Sequence, residues 1–213
     1  MADKGPKAMR KVQIESKKRL FDDFMKIDEA VVRFERFDGT MSPPLRRLNL
    51  ERGDSVAALI LNRRTRRVTL VNQFRFPTYE KGPGWIMEVV AGIVDSHEAP
   101  ENAVRREILE ETGYRVSAVA QISTFYLSPG GSSERIILYC AEVDGSERIS
   151  KGGGVASEDE DVDVLELSYQ EAWEALDSGK IVDAKTIIAL NWLRDSIGGQ
   201  HDPSDRHTGG SVS

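Results

Sequence analysis

GIVDSHEAPENAVRREILEETGY, running from Gly92 to Tyr114, is the stretch whose reading decides the fold. Its fixed points are Gly92, Glu98, Arg106, Glu107, Glu110, Glu111 and Gly113. Pro100 suits a first helical turn, where no amide donor is needed, and Glu98 and Glu101 favour the positive end of a helix dipole. Gly113 can take the left-handed conformation that stops a helix, so the pattern predicts a helix from Ala99 to Thr112. Three-and-four spacing then puts Glu107 beside Glu110 and Glu111 on one face of the last turns, with Glu98 supplied by the preceding loop. Like charges this close, near the negative end of the dipole, need a counter-charge. Oxygen donors without His or Cys suit a hard dication, Mg²⁺ or Mn²⁺, that completes its shell with phosphate oxygens. The plain alternative is a solvated acidic face. The Gly92 turn, the fixed spacing and the Arg106 neighbour favour a site, with Arg106 read as a structural partner of Glu98 rather than a substrate contact.

Upstream of this stretch, Trp85–Ala91 reads as a strand entering it, and the carbonyl of Ala91 is a candidate metal ligand because oxygen donors need not be side chains. Trp85 itself reads as a packing anchor. Ser55–Leu61 and Arg67–Gln73 are apolar, β-prone runs around a polar turn and pair as a hairpin. Arg75, at the end of the second run, presents a planar fork suited to phosphate. Further back, Ala30–Arg36 and Pro44–Glu51 flank the turn Asp38-Gly39 and read as a second hairpin, too small to bury a core alone. It is expected to pack on the main domain or on a dimer partner, and Arg46 and Arg47 are candidates to reach substrate in a neighbouring subunit's site.

Downstream, Ala118–Tyr126 and Ile136–Val143 read as strands around the loop LSPGGSSER, in which Glu134 is a candidate functional carboxylate. A polar segment then runs through KGGGVASEDEDVDV. Its glycines suggest mobility and its carboxylates, Glu158 and Glu160 among them, suggest a lid that delivers a ligand or base. Val162–Leu167 resumes as a strand, Ser168 caps a helix to Asp177, and Asp183–Ile197 forms a last helix. Lys185, near its start, is a candidate for substrate phosphate, with a surface lysine as the plainer reading.

The 213 residues suffice for one well-cored domain with a smaller attachment, and the formal charge of −6 disfavours a sequence-independent nucleic-acid binder. Cys140 is the sole cysteine, so there is no disulfide framework and no cysteine-based zinc site, which fits the cytoplasm. No apolar run is long enough to suggest a membrane span. The expected organisation is a flexible leader, or a frayed first strand, over 1–18, an N-terminal β subdomain for dimerisation over 19–54, the main domain over 55–198 and a flexible tail over 199–213.

The central stretch resembles a complete Nudix box. Beyond it, QFR at Gln73–Arg75, EVVAG at Glu88–Gly92, SPGG at Ser128–Gly131 and GGGV followed by EDEDVDVLEL are similar to the ADP-ribose and GDP-mannose pyrophosphatase branch of the Nudix hydrolases. That resemblance implies an α/β fold, the Nudix α/β/α sandwich with mixed sheets, and a small N-terminal β-sheet that helps to build a swapped homodimer. It implies Mg²⁺-dependent hydrolysis of a nucleoside diphosphate sugar to a nucleoside monophosphate and a sugar phosphate. By matching position, the metal ligands fall on Ala91 through its carbonyl, Glu107, Glu111 and Glu160, with Glu110 acting through water. The general base maps to Glu158 by the ADP-ribose pattern and to Glu134 by the GDP-mannose pattern. RFDG at Arg36–Gly39 and SSER at Ser132–Arg135 resemble the ADP-ribose enzymes, whereas the glycine-rich lid resembles the GDP-mannose enzymes with Ala156 and Ser157 added. Two other classes are open: a catalytically inactive nucleotide-sugar-binding module, which a broken box would betray, and an RNA cap-removing enzyme, which the acidic composition disfavours.

Overall fold

The computed structural model describes residues 10–155, 157 and 159–198. The chain divides into two compact units, one built from Met1–Gly53 with Tyr126–Arg135 and the other from Asp54–Phe125 with the chain from Ile136 onward.

In the first unit, β1 (Val12–Asp22), β2 (Lys26–Phe34) and β3 (Leu45–Glu51) form an antiparallel sheet in chain order. Asp38 and Gly39 sit in the β2–β3 connection, where Gly39 has φ +85°. β1 begins at Val12, so residues 12–18 are strand rather than leader; residues 1–9 and the expected tail at 199–213 lie outside the described residues. The reason for this correction is pairing: Val12 to Asp22 is in register with Phe34 to Lys26 across two bulges, and its lysines and Arg19 find carboxylates on β2. The Ser128–Glu134 loop belongs to the same unit. Leu50 N–H donates to Gly131 O at 2.8 Å, Ser132 Oγ to Leu50 O at 3.0 Å and Ser133 Oγ to Glu51 at 2.5 Å.

The second unit is a mixed sheet between helices. β4 (Ser55–Asn62), β5 (Arg67–Phe74), β8 (Ala120–Tyr126), β9 (Arg135–Glu142) and β10 (Val162–Ser168) run in the order β10-β5-β4-β9-β8, and β4 and β9 are parallel. β6 (Trp85–Glu88) pairs with β5, while β7 (Val90–Ile93) pairs with β4. The chain therefore changes neighbours at Val89. A short helix α1 (Phe76–Tyr79), absent from the sequence reading, follows Arg75.

Strand periodicity sorts β4 between two cores. Ala57, Leu59 and Leu61 join Tyr169, Ala172, Leu190 and Leu193 of α3 (Tyr169–Asp177) and α4 (Ala184–Gly198). Val56, Ala58 and Ile60 face the other way, onto Ala103, Val104 and Ile108 of α2 (Pro100–Thr112). Each such fully buried branched side chain contributes roughly 1.5–3 kcal/mol. Cys140 lies in the first core, where burial pushes its thiol up to about 11, as expected of an inert core cysteine.

Candidate active site

The acidic helix is built as its sequence dictates. Ala99 is its N-cap and Pro100 its first residue, and Gly113 ends it in the left-handed conformation with φ +77°. Its last carbonyls are met by the glycine run downstream, where Gly153 N–H donates to Glu111 O at 2.8 Å and Gly154 N–H to Glu110 O at 3.2 Å, and the carbonyl of the cap Gly113 accepts from Ile149 N–H at 2.8 Å. Gly152, Gly153 and Gly154 all have positive φ, and a Cβ on Gly152 would lie 2.3 Å from Glu111 O. These glycines thus serve close backbone approach, where the sequence suggested mobility.

Arg106 holds the entry loop as anticipated, with Nη2 3.1 Å from Glu98 and 3.2 Å from the Ile93 carbonyl. It also spans two box carboxylates, Glu107 at 2.7 Å and Glu110 at 3.2 Å. Gly92 packs directly on Glu107: a Cβ there would fall 1.9 Å from Glu107 Oε1. Glu160 is turned to its own loop and accepts from Val155 N–H at 3.0 Å.

Glu111 is different. It is 3% exposed, and its Oε2 is buried without a hydrogen-bond partner. Burial first, then repulsion from Glu107, Glu88 and Glu160, holds its pKa well above the ordinary glutamate range. Burial also raises that of Glu107, against the pull of Arg106. Among the described residues no three acidic, His or Cys side chains are already drawn into a metal shell, because Arg106 and the Val155 amide occupy three of the carboxylates. The donor chemistry nevertheless fits a hard dication: an orphaned buried oxygen at Glu111, neighbouring carboxylates and no nitrogen or sulfur ligand.

Beside this cluster lies an ionic chain centred on a buried carboxylate. Glu88, 3% exposed, accepts from Arg75 Nε at 2.6 Å and from Lys185 Nζ at 3.2 Å, and Lys185 also reaches Asp183 at 2.7 Å. Burial alone would lower the Lys185 pKa, but Glu88 and Asp183 outweigh it and the net direction is upward. The plainer reading of Lys185 as a surface lysine is therefore corrected, whereas Trp85, 58% exposed, packs its ring on Phe74 with centroids 4.9 Å apart. Glu88, Asp183 and Thr186 were not read as partners in a site; Asp183 preceding Thr186 by three was a legible helix-cap signal, whereas the pairing of Glu88 with residue 185 was not.

The other candidates belong to the first unit or lie outside the described residues. Glu134 belongs to the first unit, is 9% exposed and lies 3.6 Å from Arg52. Arg46 is an exposed residue of β3 paired with Glu29, and Arg47 donates to the Arg46 carbonyl at 2.9 Å. Glu158 lies outside the described residues.

A sandwich of this kind with a carboxylate helix against a glycine turn defines a class, and comparison agrees: residues 51–190 match the model of the NUDIX domain. The chain belongs to the Nudix family and is a Nudix hydrolase. Among similar proteins, the GDP-mannose pyrophosphatase of Pectobacterium atrosepticum is 40% identical over 84% of this chain and 92% of its own length. That of Escherichia coli strain SMS-3-5 is 38% identical over 84% and 93%, and that of Cronobacter sakazakii is 44% identical over 68% and 75%. Among the described residues no helix is long and apolar enough to cross a membrane.

Proposed function

We propose that this enzyme hydrolyses the diphosphate bond of a nucleoside diphosphate sugar, with GDP-mannose the first candidate and ADP-ribose the second, to a nucleoside monophosphate and a sugar phosphate. The observation that carries the reading is the Glu111 carboxylate, buried without a partner among other carboxylates at the Gly92 turn. The names of the relatives favour GDP-mannose.

Glu107, Glu111, Glu160 and the Ala91 carbonyl would hold Mg²⁺, or Mn²⁺ in its place, with Glu110 assisting through water. When bound, the cation neutralises charge developing on the diphosphate and acidifies water. The chain's own contribution is orientation and proton transfer. Arg106 fixes the spacing of Glu98, Glu107 and Glu110. Arg75 retains donors beyond the Nε given to Glu88, and with Lys185 it is assigned to substrate phosphate. Glu134 is assigned as the base that takes the proton from the attacking water, with Glu158 as the competing assignment. The enzyme works as a homodimer in which Arg46 and Arg47 reach the neighbouring subunit's substrate.

A panel of GDP-mannose, ADP-ribose and other nucleotide sugars, hydrolysed with Mg²⁺ in ¹⁸O-labelled water, tests this. Cleavage with label in one phosphate product is expected; no turnover on any diphosphate sugar would sink it. Glu134→Gln and Glu158→Gln should differ strongly in turnover, and equal mild losses would mean that neither is the sole base.

A further inference from the structure

The strand that leads into the Gly92 turn has a fault in it. β6 bonds to β5 and β7 bonds to β4, so Val89 sits where the chain transfers from one neighbour to the other. Val89 is fully buried, and an amide there without a partner is costly. Its N–H donates instead to the side chain of Thr186, at 2.8 Å to Oγ1. Thr186 is itself fully buried and braced: its Oγ1 donates to Asp183 Oδ2 at 2.7 Å and its backbone N–H to the same oxygen at 2.9 Å. The other carboxylate oxygen of Asp183 accepts from Lys185, which grips Glu88 on the upstream side of the fault. One short segment at the start of α4 therefore clamps both sides of the break. Only Val90 and Ala91 separate it from Gly92, whose Cα abuts the Glu107 carboxylate closely enough to exclude a Cβ.

We propose that Thr186, braced by Asp183, is a positioning residue for the metal-binding turn: it fixes the height of β7, and through it the Ala91 carbonyl and the seat of Glu107. An amide released at Val89 would let β7 slide along β4, and the turn would no longer meet the helix carboxylates at a fixed distance. This rests on the metal-dependent reading above, so the test separates the two.

Thr186→Val keeps the shape and removes the acceptor; Thr186→Ser restores it. Asp183→Asn keeps a helix cap and loosens the brace, and serves if the valine variant does not fold. Ser168→Ala, which removes a cap on α3, controls for lost stability alone. Each protein is stripped of metal, checked by circular dichroism and titrated with Mn²⁺ by electron paramagnetic resonance, and the Mg²⁺ dependence of turnover is measured beside its thermal midpoint. The expected result is an about tenfold weaker Mn²⁺ affinity and a raised Mg²⁺ requirement for Thr186→Val, a smaller shift of the same kind for Asp183→Asn, near-wild-type values for Thr186→Ser and no change for Ser168→Ala. A Thr186→Val or Asp183→Asn protein that melts earlier yet binds Mn²⁺ as wild type overturns the proposal. Wild-type protein that takes up no Mn²⁺ overturns the metal reading itself.

Discussion

Glu111 places a carboxylate oxygen in the interior with nothing to accept from, beside three other acidic side chains. Such an arrangement is unfavourable in the metal-free chain and useful once a cation arrives. Glu111→Gln should lower turnover about a thousandfold or more, a barrier increase of about 4 kcal/mol, with an unchanged circular dichroism spectrum. A near-wild-type rate would remove this residue from the metal shell. The same substitution exposes the linkage. Because the folded pKa lies above the unfolded one, the native state keeps a proton that the unfolded chain has already released. Stability is therefore lost as pH rises from the ordinary glutamate value through the raised one. In chelator, the melting temperature of the wild type should decline across that window, and Glu111→Gln should flatten the decline; parallel curves would count against it. Gly92→Ala is the complementary case. Its Cβ would displace the Glu107 carboxylate, the far end of a flexible side chain, so the chain should fold while Mn²⁺ affinity drops about tenfold. Retained affinity would mean that Glu107 relocates without consequence.

Helix α2 was legible because its signals are local: Pro100 at the start, Gly113 at the stop and carboxylates at helical spacing between them. The glycine run at 152–154 was visible, but its close approach to the end of α2 was not. Its positive φ values and its bonds to the end of α2 depend on which backbone passes nearby, and neighbouring sequence does not report that. α3 offers a cleaner test of local encoding. Ser168 accepts from the Glu171 amide at 3.2 Å, and the Glu171 side chain answers at the Ser168 amide at 2.7 Å. Ser168→Ala should cost about 1 kcal/mol and lower the melting point by about 2–4 °C, with kcat unchanged. An unchanged melting point would show the capping box to be redundant with the packing of Tyr169 and Ala172.

At the scale of the molecule, the proposed homodimer rests on the first unit. All residues of β1 are exposed, and Val12, Ile14 and Phe21 are each more than half exposed. Phe24 and Phe37 add 71% and 92% exposure in the same unit. An edge strand this long, with apolar groups on it, is the surface on which the proposed homodimer would form. Sedimentation equilibrium at micromolar concentration should give a dimer, and Ile14→Lys combined with Phe21→Lys should give a folded monomer. A wild-type monomer at every concentration would remove the proposed dimer and with it the role of Arg46 and Arg47 in a neighbouring site.

By itself the sequence determined the carboxylate helix, its glycine stop and the family to which these belong, since each is written in residues close together along the chain. The tertiary structure alone decided which charges meet. Glu88 with Arg75 and Lys185, Thr186 under the Val89 amide and Glu111 without a partner all arise from strands and helices far apart in sequence, and burial turns those meetings into perturbed acids and fixed backbone. Periodicity tells a side chain which face it occupies; only the packed fold tells it what it faces.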